Sequence, residues 1–231
     1  MYKNEREELI MSVLEEKKYI SVNELSEITY ASASSIRRDL DNLARKGLVK
    51  RSYGGVSIME TIASVPAFYS RIKKNGAYKR TAAKKAAQLI EDNMSVMLDS
   101  SSTAVYMLPI LKEHTGIKVF TNNLFTATES IKLGLETYCI GGKVSDDAVV
   151  FTGAFAETMI KEINPDILFF SSQSVDFDGN ISDSTEEENY MRKIMMKQAR
   201  ISVFLYDTEK MNKKSLYKLC NIEDVDYYFH N

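Results

Sequence analysis

Asp99-Ser100-Ser101-Ser102-Thr103 puts a carboxylate and four hydroxyls in five consecutive residues, directly after a short apolar run. Small hydroxyl residues that open a helix bind anions, because the free N–H groups and the helix dipole face the ligand together. Asn122 and Gly141-Gly142 follow two further apolar runs, and glycine there lets a ligand approach the backbone closely. Lys210 supplies a cation for such a ligand, and Asp176 and Glu188 add carboxylates in neighbouring loops. Serine and threonine also cap helices in any protein, and Gly-Gly also simply turns a chain. Glu186-Glu187-Glu188 reads as the first turn of a helix, where negative charge is favourable, rather than as a metal site.

A second group lies near the N-terminus. Ser32, Ser34, Ser35, Arg37 and Arg38 fall at the start of a helix whose buried stripe is Ile36, Leu40 and Leu43. Between residues 31 and 57, Arg37, Arg38, Arg45, Lys46, Lys50 and Arg51 stand against Asp39 and Asp41. That segment is positive in a chain whose formal net charge is −2. Arginine suits bidentate contact with guanine or with phosphate, and the first turns of a recognition helix enter the major groove. A small helical bundle with a solvated charged face has the same charge pattern.

Other chemistries are excluded or disfavoured. Two histidines, His114 and His230, are too few and too scattered for a histidine-based metal site, so no metal is expected. Cys139 and Cys220 cannot build a disulfide scaffold, which fits a reducing compartment. Glycine-rich nucleotide loops are absent, so no cofactor is expected. No apolar run approaches the ~18 residues of a membrane span. The opening residues are charged and carry no signal-peptide core, so the expected location is the cytoplasm, with no membrane partner.

The elements that hold these groups follow from the patterning. Helices are expected over 3–17, from Val22, and from Ser32 to a terminating Gly47, with Ser21-Val22-Asn23-Glu24 spaced as a capping box. Leu48 to Val56 reads as a hairpin wing. Beyond residue 75, apolar strands at 95–99, 117–121, 137–140, 166–170, 201–206 and 225–229 alternate with helices at 78–92, 102–114, 123–134, 153–163 and 186–199. Nearly all-apolar strands alternating with helices give a parallel sheet covered on both faces, with ligands at the carboxyl ends of the strands. Seven basic residues without an acid between Arg71 and Lys85 read as a solvated linker and helix face, or as contacts to DNA or an anionic ligand.

Ser32 to Leu40, with Leu43, Gly47, Leu48, Arg51 and Gly54-Gly55, resembles the DNA-binding signature of DeoR-type bacterial transcriptional regulators, V-S-x-x-T-I-R-R-D-L, then L, G and R-x-x-G-G-A. Ala31, Ser35 and Val56 are mild departures from it. The resemblance continues through Pro66 to Arg71, Leu98 to Thr103 (L-D-S-G-T-T), Thr121-Asn122-Asn123, Ile140-Gly141-Gly142, Glu188 with Arg192-Lys193 and Met195, and Asp207 to Lys210 (D-x-S-K). It implies that Ser32, Ser34, Ser35, Arg37 and Arg38 read bases or phosphates, while Lys50, Arg51 and Tyr53 hold the backbone from the wing. It also implies an effector site of Asp99, Ser100, Ser101, Ser102, Thr103, Asn122, Gly141, Gly142, Asp176, Glu188 and Lys210.

The fold class expected is α/β. Residues 1–57 would form a winged helix-turn-helix, 58–75 a linker, and 76–231 a mostly parallel α/β sensor and oligomerisation domain resembling ribose-phosphate isomerase. The function implied is a regulator of sugar or carbon metabolism, most often a repressor. Its partners would be a double-stranded DNA operator, a phosphosugar or related effector, and further copies in a homodimer or homotetramer.

Ser101 stands where that family carries a loop glycine, and Ser171-Ser172-Gln173-Ser174 stands where it has G-x-x-G, so two more glycines are serine. A side chain there either blocks phosphate or selects a different ligand. A sugar-phosphate isomerase or deaminase using Asp99, Asp176 or Glu188, and a ligand-blind DNA binder with a degenerate pocket, are the alternatives.

Overall fold

The computed structural model describes residues 3–17, 19–45, 48–52, 54–58, 65–144 and 149–231. The chain divides into two compact units, Met1–Ala63 and Ser64–Asn231.

In the first unit α1 (Lys3–Lys17), β1 (Tyr19–Ser21), α2 (Val22–Thr29), α3 (Ala33–Arg45), β2 (Val49–Ser52) and β3 (Gly55–Ile58) follow in order. Ile10, Leu14, Leu25, Ile36, Leu40 and Val56 pack one small core with no exposed surface. The capping box forms as spaced: Ser21 Oγ accepts from Glu24 N at 3.2 Å, and Glu24 Oε2 accepts from Ser21 N at 3.0 Å. The wing is antiparallel β2–β3, and β1 adds a third strand with Ile20 opposite Val56. Gly47, expected to end α3, lies outside the described residues.

The second unit begins with α4 (Val65–Lys73) and α5 (Gly76–Ala86). Then come β4 (Ser95–Leu98), α6 (Leu108–Leu111), β5 (Lys118–Thr121), α7 (Leu124–Lys132), β6 (Glu136–Cys139), the hairpin β7 (Lys143–Val144) and β8 (Phe151–Thr152), and α8 (Ala154–Lys161). The chain closes with β9 (Ile167–Phe170), β10 (Ser174–Val175), β11 (Asn180–Asp183), α9 (Glu186–Gln198), β12 (Ile201–Tyr206), β13 (Tyr217–Asn221) and β14 (Tyr227–His230).

Among the described residues a six-stranded sheet runs in the order β14-β12-β9-β4-β5-β6, every pair parallel. One face packs Val96, Leu98, Phe169 and Val203 against α5 and α6. The other packs Met97, Leu168, Phe170 and Phe204 against α8 and α9. Two covered faces are why the central strands β4, β9 and β12 carry almost no polar residue, while the edge strands β6 and β14 do. The strand order reverses between β4 and β9, because the chain builds outward through β5 and β6 and then returns to lay down β9, β12 and β14 on the far side.

The short strands β1, β7, β8, β10, β11 and β13 are not expected from the sequence pattern, and two expected regions take another form. Residues 65–73, expected within the linker, form α4, and Phe68 is fully buried against Val149 and Val150. That burial ties the helix to the second unit. The helix expected over 102–114 is a 3-10 turn, Ala104–Met107, followed by the short α6. Pro109 has no N–H to return to Val105, so the turns cannot join as one α-helix. Among the described residues no helix is long and apolar enough to cross a membrane, and no cluster of three metal-ligating side chains occurs.

Candidate functional sites

In the first unit the start of α3 presents polar side chains outward. Ser32 spends its hydroxyl locally, accepting from Ser35 N at 3.3 Å and lying 2.9 Å from Ser34 Oγ. Ser34, Arg37 and Arg38 are exposed, Ser35 is half-buried, and Arg38 Nε only grazes the Ser34 carbonyl at 3.5 Å. Asp39, by contrast, is buried and accepts from Arg6 Nε at 2.6 Å, which braces α1 against α3. Lys50 is exposed on β2. Arg51 pairs with Asp41, but both remain well exposed, so the pair is weak and its guanidinium can exchange to a phosphate. Tyr53 lies outside the described residues.

In the second unit the site forms where the strand order reverses. Asp99 follows β4, Ser171 follows β9 and Asp207 follows β12, so three adjacent strands present these residues side by side at their carboxyl ends. Such a reversal opens a crevice in an α/β sheet. A cavity of about 370 Å³ lies here, lined among others by Arg71, Lys79, Ser101, Ser171, Arg192 and Lys210.

Its floor is one buried arginine. Arg192, on α9, donates from Nε to Asp99 Oδ2 at 2.8 Å, from Nη1 to Asp183 Oδ2 at 2.9 Å and from Nη2 to Glu188 Oε2 at 2.9 Å. Burial disfavours the charged guanidinium, but Asp99, Glu188 and Asp183 outweigh it and hold its pKa above the ordinary arginine range. Ser100 Oγ donates to Glu188 at 2.9 Å and Ser172 Oγ to Asp183 at 3.2 Å. The Ser101 N–H closes on Asp99 Oδ1 at 3.0 Å. The carboxylates are therefore engaged in holding β4, β11 and α9 together at this end of the sheet.

Two lysines reach serine hydroxyls in the cavity. Lys79 Nζ, on α5, donates to Ser102 Oγ at 3.0 Å and to the Arg71 carbonyl. Lys210 Nζ donates to Ser171 Oγ at 2.7 Å. Burial lowers the Lys79 pKa to about 8, with the charge of Lys210 adding to the effect and Asp207 opposing it. Burial likewise lowers Lys210 to about 8 against the pull of Asp207 and Asp99. Arg71 lies over the Phe68 ring at 5.7 Å, and its buried Nε has no hydrogen-bond partner.

Of the sequence-predicted residues, Ser101, Ser102 and Lys210 line the cavity, and Asp99, Ser100 and Glu188 form the shell around Arg192. Thr103, just before the Ala104–Met107 turn, and Asn122, just after β5, are buried, each with a side-chain oxygen that has no partner. Gly142 makes a close backbone passage, since a Cβ there would meet the Thr152 carbonyl at 2.7 Å, while Gly141 faces open space. Asp176 is not brought to the site. Its carboxylate accepts from the backbone of Asp178 and Asn180, closing the β10–β11 turn, and those bonds lower its pKa. Arg71 and Lys79 come from the basic run that reads either as a solvated face or as contacts to DNA or an anionic ligand, while Asp183 and Arg192 are site residues that the pattern does not single out. Glu188 and Arg192 at i, i+4 carried a signal for one of them.

A family model described as the DeoR-like helix-turn-helix domain matches residues 6–62, and one described as the DeoR C terminal sensor domain matches residues 74–231. The chain belongs to the DeoR family. This DeoR-family protein is 29% identical over 98% of its length to the HTH-type transcriptional regulator GolR of Listeria innocua, covering 89% of that protein. It is 31% identical over 98% of its length to the L-fucose operon activator of Haemophilus influenzae, covering 91% of it. The lactose phosphotransferase system repressor of Staphylococcus aureus is 28% identical, over 97% of this chain and 90% of that one.

Solved structures of similar fold include eIF2B delta from Chaetomium thermophilum, with a TM-score of 0.51 at 10% identity over 70% of this chain and 58% of that one. A D-ribose-5-phosphate isomerase in complex with phospho-erythronic acid has a TM-score of 0.43 at 21% identity, over 58% of this chain and 52% of that one. The chain thus spans little more than half the length of either. The DeoR-family chain is a DNA-binding transcriptional regulator built from a winged helix-turn-helix and a parallel α/β sensor domain.

Proposed function

We propose that this regulator represses a sugar-utilisation operon and is controlled by a phosphorylated sugar or close relative bound in the strand-end cavity. The observation that carries the reading is the pairing of Lys79 and Lys210 beside the Arg192 cluster, at the point where the sheet order reverses. The lysine cations suit a phosphate, and the serine hydroxyls beside them suit a polyol. Relatives named for the L-fucose operon and the lactose phosphotransferase system support the substrate class. Operator DNA is contacted by Ser32, Ser34, Ser35, Arg37 and Arg38 on α3, and by Lys50, Arg51 and Tyr53 from the wing. A homodimer or homotetramer matches paired half-sites. The chain turns over no sugar phosphate on this reading, because Asp99, Asp183 and Glu188 are spent on Arg192 and Asp207 accepts from the Glu209 N–H.

Thermal unfolding with sugar phosphates, their parent sugars and inorganic phosphate tests the proposal. A ligand at 100 times its Kd stabilises the native state by ~2.7 kcal/mol. That raises the midpoint by several degrees. A shift with a sugar phosphate and none with its parent sugar is expected. No shift across the panel would leave a ligand-blind DNA binder, and turnover of any member would restore the enzyme reading.

A further inference from the structure

Four non-glycine residues among the described ones have a left-handed φ: Tyr30, Asn75, Asn93 and Asn212. Asparagine tolerates that conformation better than other side chains, because its short amide bonds locally. Tyr30 departs from the pattern, with φ 52° and ψ 33° at the C-cap of α2, a position where glycine relieves the strain. Its N–H bonds back to the Ser26 and Glu27 carbonyls, so the backbone turn itself needs no aromatic side chain.

Burial does not hold the tyrosine there either. It is 95% exposed, more than any other large apolar or aromatic side chain among the described residues. A bulky residue kept in a strained conformation and left in water points to a partner outside the fold.

Its place in the chain says which partner. Tyr30 stands two residues before Ser32, directly ahead of the exposed row Ser34, Arg37 and Arg38 on α3. The N-terminal end of a recognition helix enters the major groove, so the residue ahead of it stands over the groove wall, which is sugar and phosphate. We propose that Tyr30 is a DNA-contact residue whose ring lies on a deoxyribose and whose hydroxyl donates to a phosphate oxygen, fixing how deeply α3 seats. This rests on the DNA reading of α3.

The test uses the full chain and two probes: a duplex recovered by selection from a random pool with the wild-type protein, and a scrambled duplex of equal composition. Tyr30→Gly relieves the left-handed strain, so its unfolding midpoint should stay level or rise. Its affinity for the selected duplex should fall roughly fivefold or more, a loss typical of a good contact. The slope of log affinity against log salt should not change, because a neutral contact releases no counterion. Tyr30→Phe should lose only the hydroxyl's share. Tyr30→Asn, which also tolerates this φ, serves if the glycine variant does not fold.

Tyr30→Gly affinity within twofold of wild type, alongside a clear loss in Arg37→Ala, would overturn the proposal. Loss of affinity that comes only with a lowered midpoint, in both Tyr30→Gly and Tyr30→Asn, would also overturn it. Unchanged binding in Tyr30→Gly and Arg37→Ala alike would instead remove the DNA reading of α3.

Discussion

Anion binding in the strand-end cavity should weaken steeply above neutral pH. Burial lowers Lys79 and Lys210 to about 8. Each is therefore about nine-tenths protonated at pH ~7 and about one-tenth protonated at pH ~9. A phosphate ester has its second pKa near ~6, so its charge hardly changes over that interval. If the protonated ammonium is what grips the anion, each lysine contributes about a tenfold loss of affinity, ~1.4 kcal/mol, between those two pH values. Both together give about a hundredfold loss. Binding must also restore the missing charge, so near pH ~8 it should take up about half a proton per lysine, roughly one in all. Calorimetry with a responding sugar phosphate, in two buffers of different ionisation enthalpy, measures that uptake directly. Lys210→Gln should remove about half of both the uptake and the pH dependence. An affinity flat within twofold from pH ~7 to ~9, with no proton uptake, would refute the assignment of these lysines as the anion grip.

Replacing Arg192 by methionine leaves Asp99, Asp183 and Glu188 facing one another without their shared cation. It should cost roughly 3–5 kcal/mol in denaturant unfolding, whereas a loss below ~1 kcal/mol would mean that the cluster is not the brace described. Ser101 Oγ accepts from the Ala104 N–H at 3.1 Å, so Ser101→Gly frees a donor and should tighten phosphate binding severalfold in titration calorimetry. Gly142→Ala forces a Cβ to within 2.7 Å of the Thr152 carbonyl at φ +152° and should lower the thermal midpoint, while Gly141→Ala, facing open space, should not. Arg37→Ala should leave unfolding unchanged and weaken operator binding in a filter assay, with the salt slope falling by about 0.9 if the contact is to phosphate.

The central strands were legible because burial on both faces leaves Val96-Met97-Leu98 and Ile167-Leu168-Phe169-Phe170 uniformly apolar. The capping box at Ser21 and Glu24 was legible because it is a local bond between two spaced side chains. What escaped depended on distant partners. Phe68 gives no local sign that Val149 and Val150 will cover it, so α4 read as linker. Lys79 belongs to a basic run that reads equally as a solvated face or as contacts to DNA or an anion, and only the packing of α5 over Ser102 singles it out. Asp176 failed the other way. Asp176-Phe177-Asp178-Gly179-Asn180 is turn chemistry, and the carboxylate is used by its own loop.

Two of the serines that replace glycines share a geometry, whereas Ser174 bonds the Ser215 hydroxyl at 2.6 Å. Ser101 accepts from a loop N–H, and Ser171 accepts from Lys210; the neighbouring loop serine, Ser102, accepts from Lys79 in the same way. In each case a neutral oxygen stands where an anion's oxygen would otherwise take the donor. A hydroxyl stabilises a buried ammonium much less than a carboxylate or phosphate does, which is consistent with both lysines remaining near a pKa of 8. A ligand that binds here has to offer each donor more than serine already provides. Weakly charged or poorly placed anions cannot, so the substitutions act as a threshold on charge and geometry. Selectivity of this kind comes from competition inside the site rather than from added contacts.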